Sequence, residues 1–359
     1  MQTGNFRKAL CTALLVAVSI TTAAGQKISR ADSATAIPTN TLLRIMRAED
    51  ERRWDENLAA LIADKDARGR KRTALAAGRI GDERAVPALV EALKADADQD
   101  VRQMAAFAIG EVESPAGAEA LIAVLDDTRN PPGVRARAVE ALGKIGAALL
   151  GNAPAAANQA GGPKAEDPRL AKIRVAILDA LKFEAGRRAM PDRSTILLGL
   201  TAALRVRPAA AGPVIIQFLG YTDPRIVADA LNTMARLRLK DGSDQVRQLL
   251  GNADAIVRAN AARVIGAAED KQAFEALLDR ALHDNDLRVR VSAIRALGSL
   301  NDARAVEPLM QRGNSLIASA SGSSANNELL EITATLGRLL PKTSNESAVA
   351  FVRNMHSLT

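Results

Sequence analysis

Cysteine occurs once in the 359 residues, at Cys11, and histidine twice, at His283 and His356. One thiol allows no disulfide framework, no CxxC redox pair and no multi-thiolate zinc site. Two histidines cannot build a metal centre that needs several. Aromatic residues are equally scarce: Trp54, Tyr221 and six phenylalanines, or 2% of the chain. That supply is too thin for a sugar-binding platform or a base-stacking surface. Neither a GxxxxGK[ST] phosphate loop nor a nucleophile elbow with Ser–His–Asp partners is present. No run of alternating apolar and polar residues marks a strand.

What is present is ordinary globular material, 48% hydrophobic and 25% charged, which excludes wholesale disorder. The net charge of +7 is mild, and bases are interleaved with acids, as from Arg47 through Glu49, Asp50 and Glu51 to Arg53. That pattern reads as a solvated mixed surface, and no nucleic-acid partner is expected.

The N-terminus reads as an export signal. Arg7 and Lys8 precede an apolar stretch from Ala9 to Ile20, and Ala23 and Gly25 suit cleavage before Gln26. The stretch is too short to span a bilayer comfortably. Cys11 opens the apolar stretch instead of following it, so it makes no lipobox. Cleavage removes two bases and no acid, taking the formal charge from +7 to +5. Residues 1–25 are therefore expected to be a signal peptide. The mature chain is expected to be exported, periplasmic or secreted, with no membrane span. A flexible leader is expected over 26–40.

A repeat organises the chain from Asp64 to Gln311. With Arg70 as anchor, equivalent positions fall at Arg102, Arg135, Thr195, Val227, Arg258 and Arg290, at spacings of 32, 33, 60, 32, 31 and 32. The spacing of 60 marks one unit with an insertion, whose clearest part is the Ala-, Gly- and Pro-rich stretch 147–167. Small residues recur eight after the anchor: Gly78, Gly110, Gly143, Ala203, Ala235, Gly266 and Gly298. Apolar positions around each anchor keep a helical period, and a second stripe such as Val86, Leu89, Val90 and Leu93 follows a turn. Each unit is thus a helix–turn–helix that must stack to bury its apolar face. Acids precede the anchors, at Asp64, Asp66, Asp98, Asp100, Asp223, Asp254, Asp284 and Asp286. They suit helix caps, and they suit a structural ladder in which Arg70, Arg102, Arg135, Arg258 and Arg290 each reach an Asp of their own or the adjacent repeat.

The run from Asp98-Gln99-Asp100-Val101-Arg102 to Gly110, echoed from Asp286 to Gly298, resembles HEAT repeats of the bilin-lyase-like subclass. The resemblance covers 64–312. It implies an all-α, curved solenoid of about seven repeats that binds a protein partner on its concave surface. The second helices would line that surface, with Glu91, Lys94 and Glu119 as expected contacts. Deoxyhypusine hydroxylase is a HEAT-repeat di-iron enzyme built on His-Glu pairs. Here Asp284 follows His283 and Ser357 follows His356, so that activity is excluded. A bilin-lyase-like enzyme is an alternative that export and the absence of cysteine after Cys11 disfavour. The segment from Leu43 to Trp54 resembles the solenoid half of exported bacterial proteins that join HEAT repeats to a cyclophilin-type prolyl isomerase. No such barrel fits into 313–359, so the first alternative is the scaffold part of a prolyl isomerase system, and the lyase reading is the second. No catalytic residue, metal or cofactor is expected. Helical caps are expected at 41–63, with helices at about 41–52 and 54–63, and at 327–359. A Ser/Gly-rich loop is expected at 313–326.

Overall fold

A computed structural model describes residues 36–151, 167–187, 189–318, 323–340 and 345–356. The chain divides into two compact units, Met1–Pro38 and Thr39–Thr359. The expected signal peptide and most of the expected leader lie outside the described residues. Everything below concerns the second unit.

Helices α1 (Thr39–Asp50) and α2 (Glu56–Ile62) open the unit. Then come α3 (Ala67–Ile80), α4 (Val86–Ala95), α5 (Gln99–Val112), α6 (Ala118–Asp126) and α7 (Pro132–Gly151). Next are α8 (Pro168–Gly186), α9 (Arg193–Val206), α10 (Gly212–Ile215), α11 (Pro224–Leu237) and α12 (Ser243–Gln248). The series ends with α13 (Ala255–Ala268), α14 (Phe274–His283), α15 (Leu287–Leu300), α16 (Val306–Ala318), α17 (Ser323–Leu339) and α18 (Glu346–His356). No strand occurs among the described residues.

Odd-numbered helices pack in sequence, α1 on α3, α3 on α5 and so on to α15 on α17, and form one layer. Even-numbered helices pair with them and form the other. Between the layers runs one continuous core. In α4, Val86, Leu89 and Leu93 are buried and Val90 half-buried. Fully burying one such Leu contributes roughly 1.5–3 kcal/mol.

Two local devices set the register. An Asp four residues before the anchor caps every anchored first helix except α7, where Pro131 stands: Asp66, Asp98, Asp192, Asp223, Asp254 and Asp286 accept backbone N–H bonds from the first turn. Eleven residues after the anchor a left-handed residue ends it: Gly81, Glu113, Arg207, Arg238, Glu269 and Asn301. Both devices in α9 count to Ile196. The anchor equivalent there is Ile196 and not Thr195, and the small-residue position falls on half-buried Leu204 instead of Ala203. An insertion upstream and the lack of Arg at either position hid that one-residue shift.

Small residues let first helices approach. A methyl added at Gly110 would lie 2.7 Å from the Cα of Ala141, and one at Gly78 2.9 Å from the Cα of Ala108. Any larger residue there forces the helices apart.

Several boundaries differ from expectation. Helix α1 starts inside the expected leader, at Thr39, and α2 ends at Ile62. Trp54 lies between them, buried in the core. Residues 147–151 of the expected insertion loop continue α7, because Gly146, Ala147, Ala148 and Leu149 offer no capping side chain. Residues 152–166 are outside the described set. The expected loop at 313–326 is largely helical, since α16 runs to Ala318 and α17 starts at Ser323. The apolar spacing Leu309, Gly313, Leu316 outweighs the polar composition there.

Candidate functional site: the arginine ladder and the exposed faces

Each anchor arginine sits in the first turn of its helix, where its stem reaches the next repeat. Arg70 makes a fork-to-fork pair with Asp96, Nε to Oδ2 at 2.6 Å and Nη2 to Oδ1 at 2.7 Å. Its Nη1 donates to the Asp64 carbonyl at 2.9 Å. Arg258 repeats the arrangement with Asp284, at 2.8 Å twice, and with the Asn252 carbonyl at 2.9 Å. Arg290 binds Glu328 of α17 at 2.8 Å and the Asp284 carbonyl at 2.8 Å. Asp284 thus links two successive arginines, and Glu328 also accepts from Arg312 at 2.8 Å.

The acceptors occupy a position the sequence reading named at Asp284 and missed at Asp96. Asp96 and Asp284 stand six residues before an anchor, and each also accepts the backbone N–H two residues on, from Asp98 and Asp286. The recurrence of Asp64, Asp96, Asn252 and Asp284 at that offset was a readable signal. Bidentate bonds from Arg70 hold the Asp96 carboxyl below the usual range, against burial. Burial pushes Asp284 and Glu328 up, but their arginines prevail and both sit low. Asp286, bonded by Arg288, is pulled to about 2.

Arg290 already departs from the expected Arg–Asp pairing by taking a Glu, and two further rungs lack a bonded carboxylate altogether. Arg102 donates to the Leu93 carbonyl at 3.1 Å and to the side-chain oxygen of Asn130, so its partners are neutral. No aspartate stands six before Arg135; Arg129 does. Arg135 is the other exception. It is 2% exposed, donates to the Leu125 carbonyl at 2.7 Å and lies 4.5 Å over the Phe183 ring. Its carboxylate neighbour Glu184, fully buried in α8, stays 3.9 Å away, and Arg135 Nε and Nη2 and Glu184 Oε1 have no hydrogen-bond partner. Burial depresses the Arg135 pKa, and Glu184 partly opposes that. The displaced second helix α8 brings Glu184 here from beyond the insertion.

The expected surface contacts lie on second helices. Glu91 and Lys94 of α4 are exposed and form no ion pair among the described residues. Glu119 of α6 is exposed but paired with Lys172 of α8 at 2.7 Å. His283 ends α14, exposed, with Nδ1 3.1 Å from Asp279. Among the described residues no group of three or more His, Cys, Asp or Glu is arranged to hold a metal ion. No helix among them is long and apolar enough to cross a membrane.

A stack of helix pairs in constant register, cross-linked at one recurrent position, defines an α-solenoid. The sequence matches the HEAT-repeat family over residues 41–103, 86–158 and 243–315, more than half of the chain, and the protein belongs to that family. Among solved structures it resembles the YibA protein of E. coli, with a TM-score of 0.57 and 16% identity over 85% of this chain and 98% of that one. The complex of CpcE and CpcF of phycocyanin lyase from a Nostoc species scores 0.41 at 19% identity, over 79% and 93%. Human deoxyhypusine hydroxylase scores 0.30 at 18% identity, over 83% and 99%. These likenesses are of fold. No curated protein matches the sequence.

Proposed function

We propose that the protein is an exported, non-catalytic scaffold that binds a protein partner on its second-helix face. One observation carries the reading: the charged groups at the anchor position are spent inside the stack. Guanidinium groups of Arg70, Arg258 and Arg290 end on carboxylates and turn carbonyls of neighbouring layers. Such fixed pairs hold layers in register and offer no free nucleophile, base or anion site. By contrast Glu91 and Lys94 are exposed and uncommitted. Export rests on the n-region, the apolar stretch and the Ala23/Gly25 pair.

The test is affinity purification from an envelope extract with the wild-type chain and with Glu91→Lys/Lys94→Glu. A partner held by the wild type and lost by the variant, at equal urea midpoints, supports the reading. Equal retention by both chains moves binding off this face. Turnover in a prolyl-peptide isomerisation assay on the pure chain overturns the non-catalytic part.

A further inference from the structure

The first-helix layer carries a charge pattern that stacking does not explain. Nine residues after the seven anchors stand Arg79, Glu111, Lys144, Arg205, Arg236, Ala267 and Ser299. At the N-terminal end these cations are neutralised. Arg79 meets Glu49 at 3.2 Å, and Lys144 meets Glu111 at 2.5 Å and Glu140 at 3.0 Å. Further on, α9 and α11 both present Arg at this offset, and both are exposed. Arg263 on α13 joins them, exposed, with only the neutral Asn260 side chain as partner at 3.2 Å. Among the described residues no carboxylate pairs with Arg205, Arg236 or Arg263. Like charges on neighbouring helices repel and contribute nothing to the fold.

Arg236 and Arg263 line one groove of about 270 Å³ across α11, α13 and α15. Small residues, among them Ala235 and Gly266, keep it open, and Ser292 and Ser299 add hydroxyls. No carboxylate lines it, and its remaining cation, Arg295, is held by Glu331.

From this charge complementarity we propose that the α9–α13 face is a docking site for an acidic peptide segment, whose Asp or Glu side chains pair with Arg205, Arg236 and Arg263. Guanidinium forks suit carboxylates, and the Ser292 and Ser299 hydroxyls can meet peptide groups. Protein is favoured over nucleic acid because no aromatic residue lines the groove to stack a base. The site lies on the other layer from Glu91 and Lys94, so it is independent of the second-helix reading.

The probe is a fluorescein-labelled oligoglutamate peptide, followed by anisotropy on the full chain with urea midpoints read alongside. Saturable binding that weakens with salt is expected. Arg236→Gln/Arg263→Gln should weaken it at least about tenfold, the loss expected of two charge pairs, and Arg205→Gln by less. The control Arg79→Gln/Lys144→Gln, which removes cations already neutralised, should change it less than about twofold. Absence of saturable binding, or an equal loss in the control, overturns the proposal. Tighter binding of duplex DNA of matched charge also overturns it and reassigns the face to nucleic acid.

Discussion

Repeats anchored by arginine and repeats anchored by aliphatic residues stack in the same register by different chemistry. Around α3, α13 and α15 the anchor is an Arg that grips the next layer. In α9 and α11 it is Ile196 or Val227, both buried in plain apolar contact. The caps Asp192 and Asp223 remain, and the cross-link moves outward to Arg193, exposed, which binds Asp223 at 2.6 Å. The second helices there shrink to α10 and α12, each extended by a 3₁₀ turn. Buried polar rungs are therefore dispensable for stacking as such. What they add is directional, since a forked pair fits one register while apolar contact tolerates slip.

The largest expected effect breaks the comparison at its least balanced rung. Arg135→Met should cost about 3 kcal/mol, because it removes the buried cation beside Glu184 and leaves that buried carboxylate only the half-exposed Arg187 at 3.5 Å. Arg135→Met/Glu184→Gln should recover most of that loss, since Gln still accepts from the Asp192 N–H. Urea midpoints of the two variants decide; a double variant no better than the single shows that Arg135 acts through packing alone.

Acid should weaken the arginine-bearing repeats first. Asp96, Asp284, Glu328 and Asp286 have native pKa values below their unfolded ones. A lowered carboxylate stabilises the fold above its unfolded pKa, and that stability is lost as pH falls through the native value. The urea midpoint should hold down to about pH 5 and then fall toward pH 2. The α9–α11 junction also holds a lowered carboxylate, Asp223, but on the exposed Arg193, so hydrogen exchange at low pH should rise in α13 and α15 before α9 and α11; simultaneous loss would contradict the contrast.

A smaller effect separates charged rungs from the neutral one. Arg102→Ala gives up bonds to a carbonyl and an amide, so about 0.5–1.5 kcal/mol is expected. Loss as large as at Arg258 would mean that the carboxylate adds nothing.

The period of about 32, the Asp caps and the apolar stripes made the solenoid legible, because those signals are local. The register of α9 was not, because the insertion breaks the count and only Asp192 and Arg207 restore it. The ladder's acceptors were half legible. Asp96 and Asp284 keep a fixed offset, whereas Asn130, Glu184 and Glu328 come from irregular positions that only packing brings near. The unpaired cations Arg205, Arg236 and Arg263 were invisible, since pairing is a property of three-dimensional neighbours.

The central claim is that the anchor arginines hold layers together. Parallel urea unfolding of Arg258→Ala and Arg79→Ala tests it most directly. Arg258 is part-buried on a 1% exposed carboxylate, and Arg79 is 61% exposed on a single contact. The account predicts a loss of about 1–3 kcal/mol for Arg258→Ala and under about 1 kcal/mol for Arg79→Ala. Equal losses, or an Arg258→Ala chain as stable as the wild type, would contradict it.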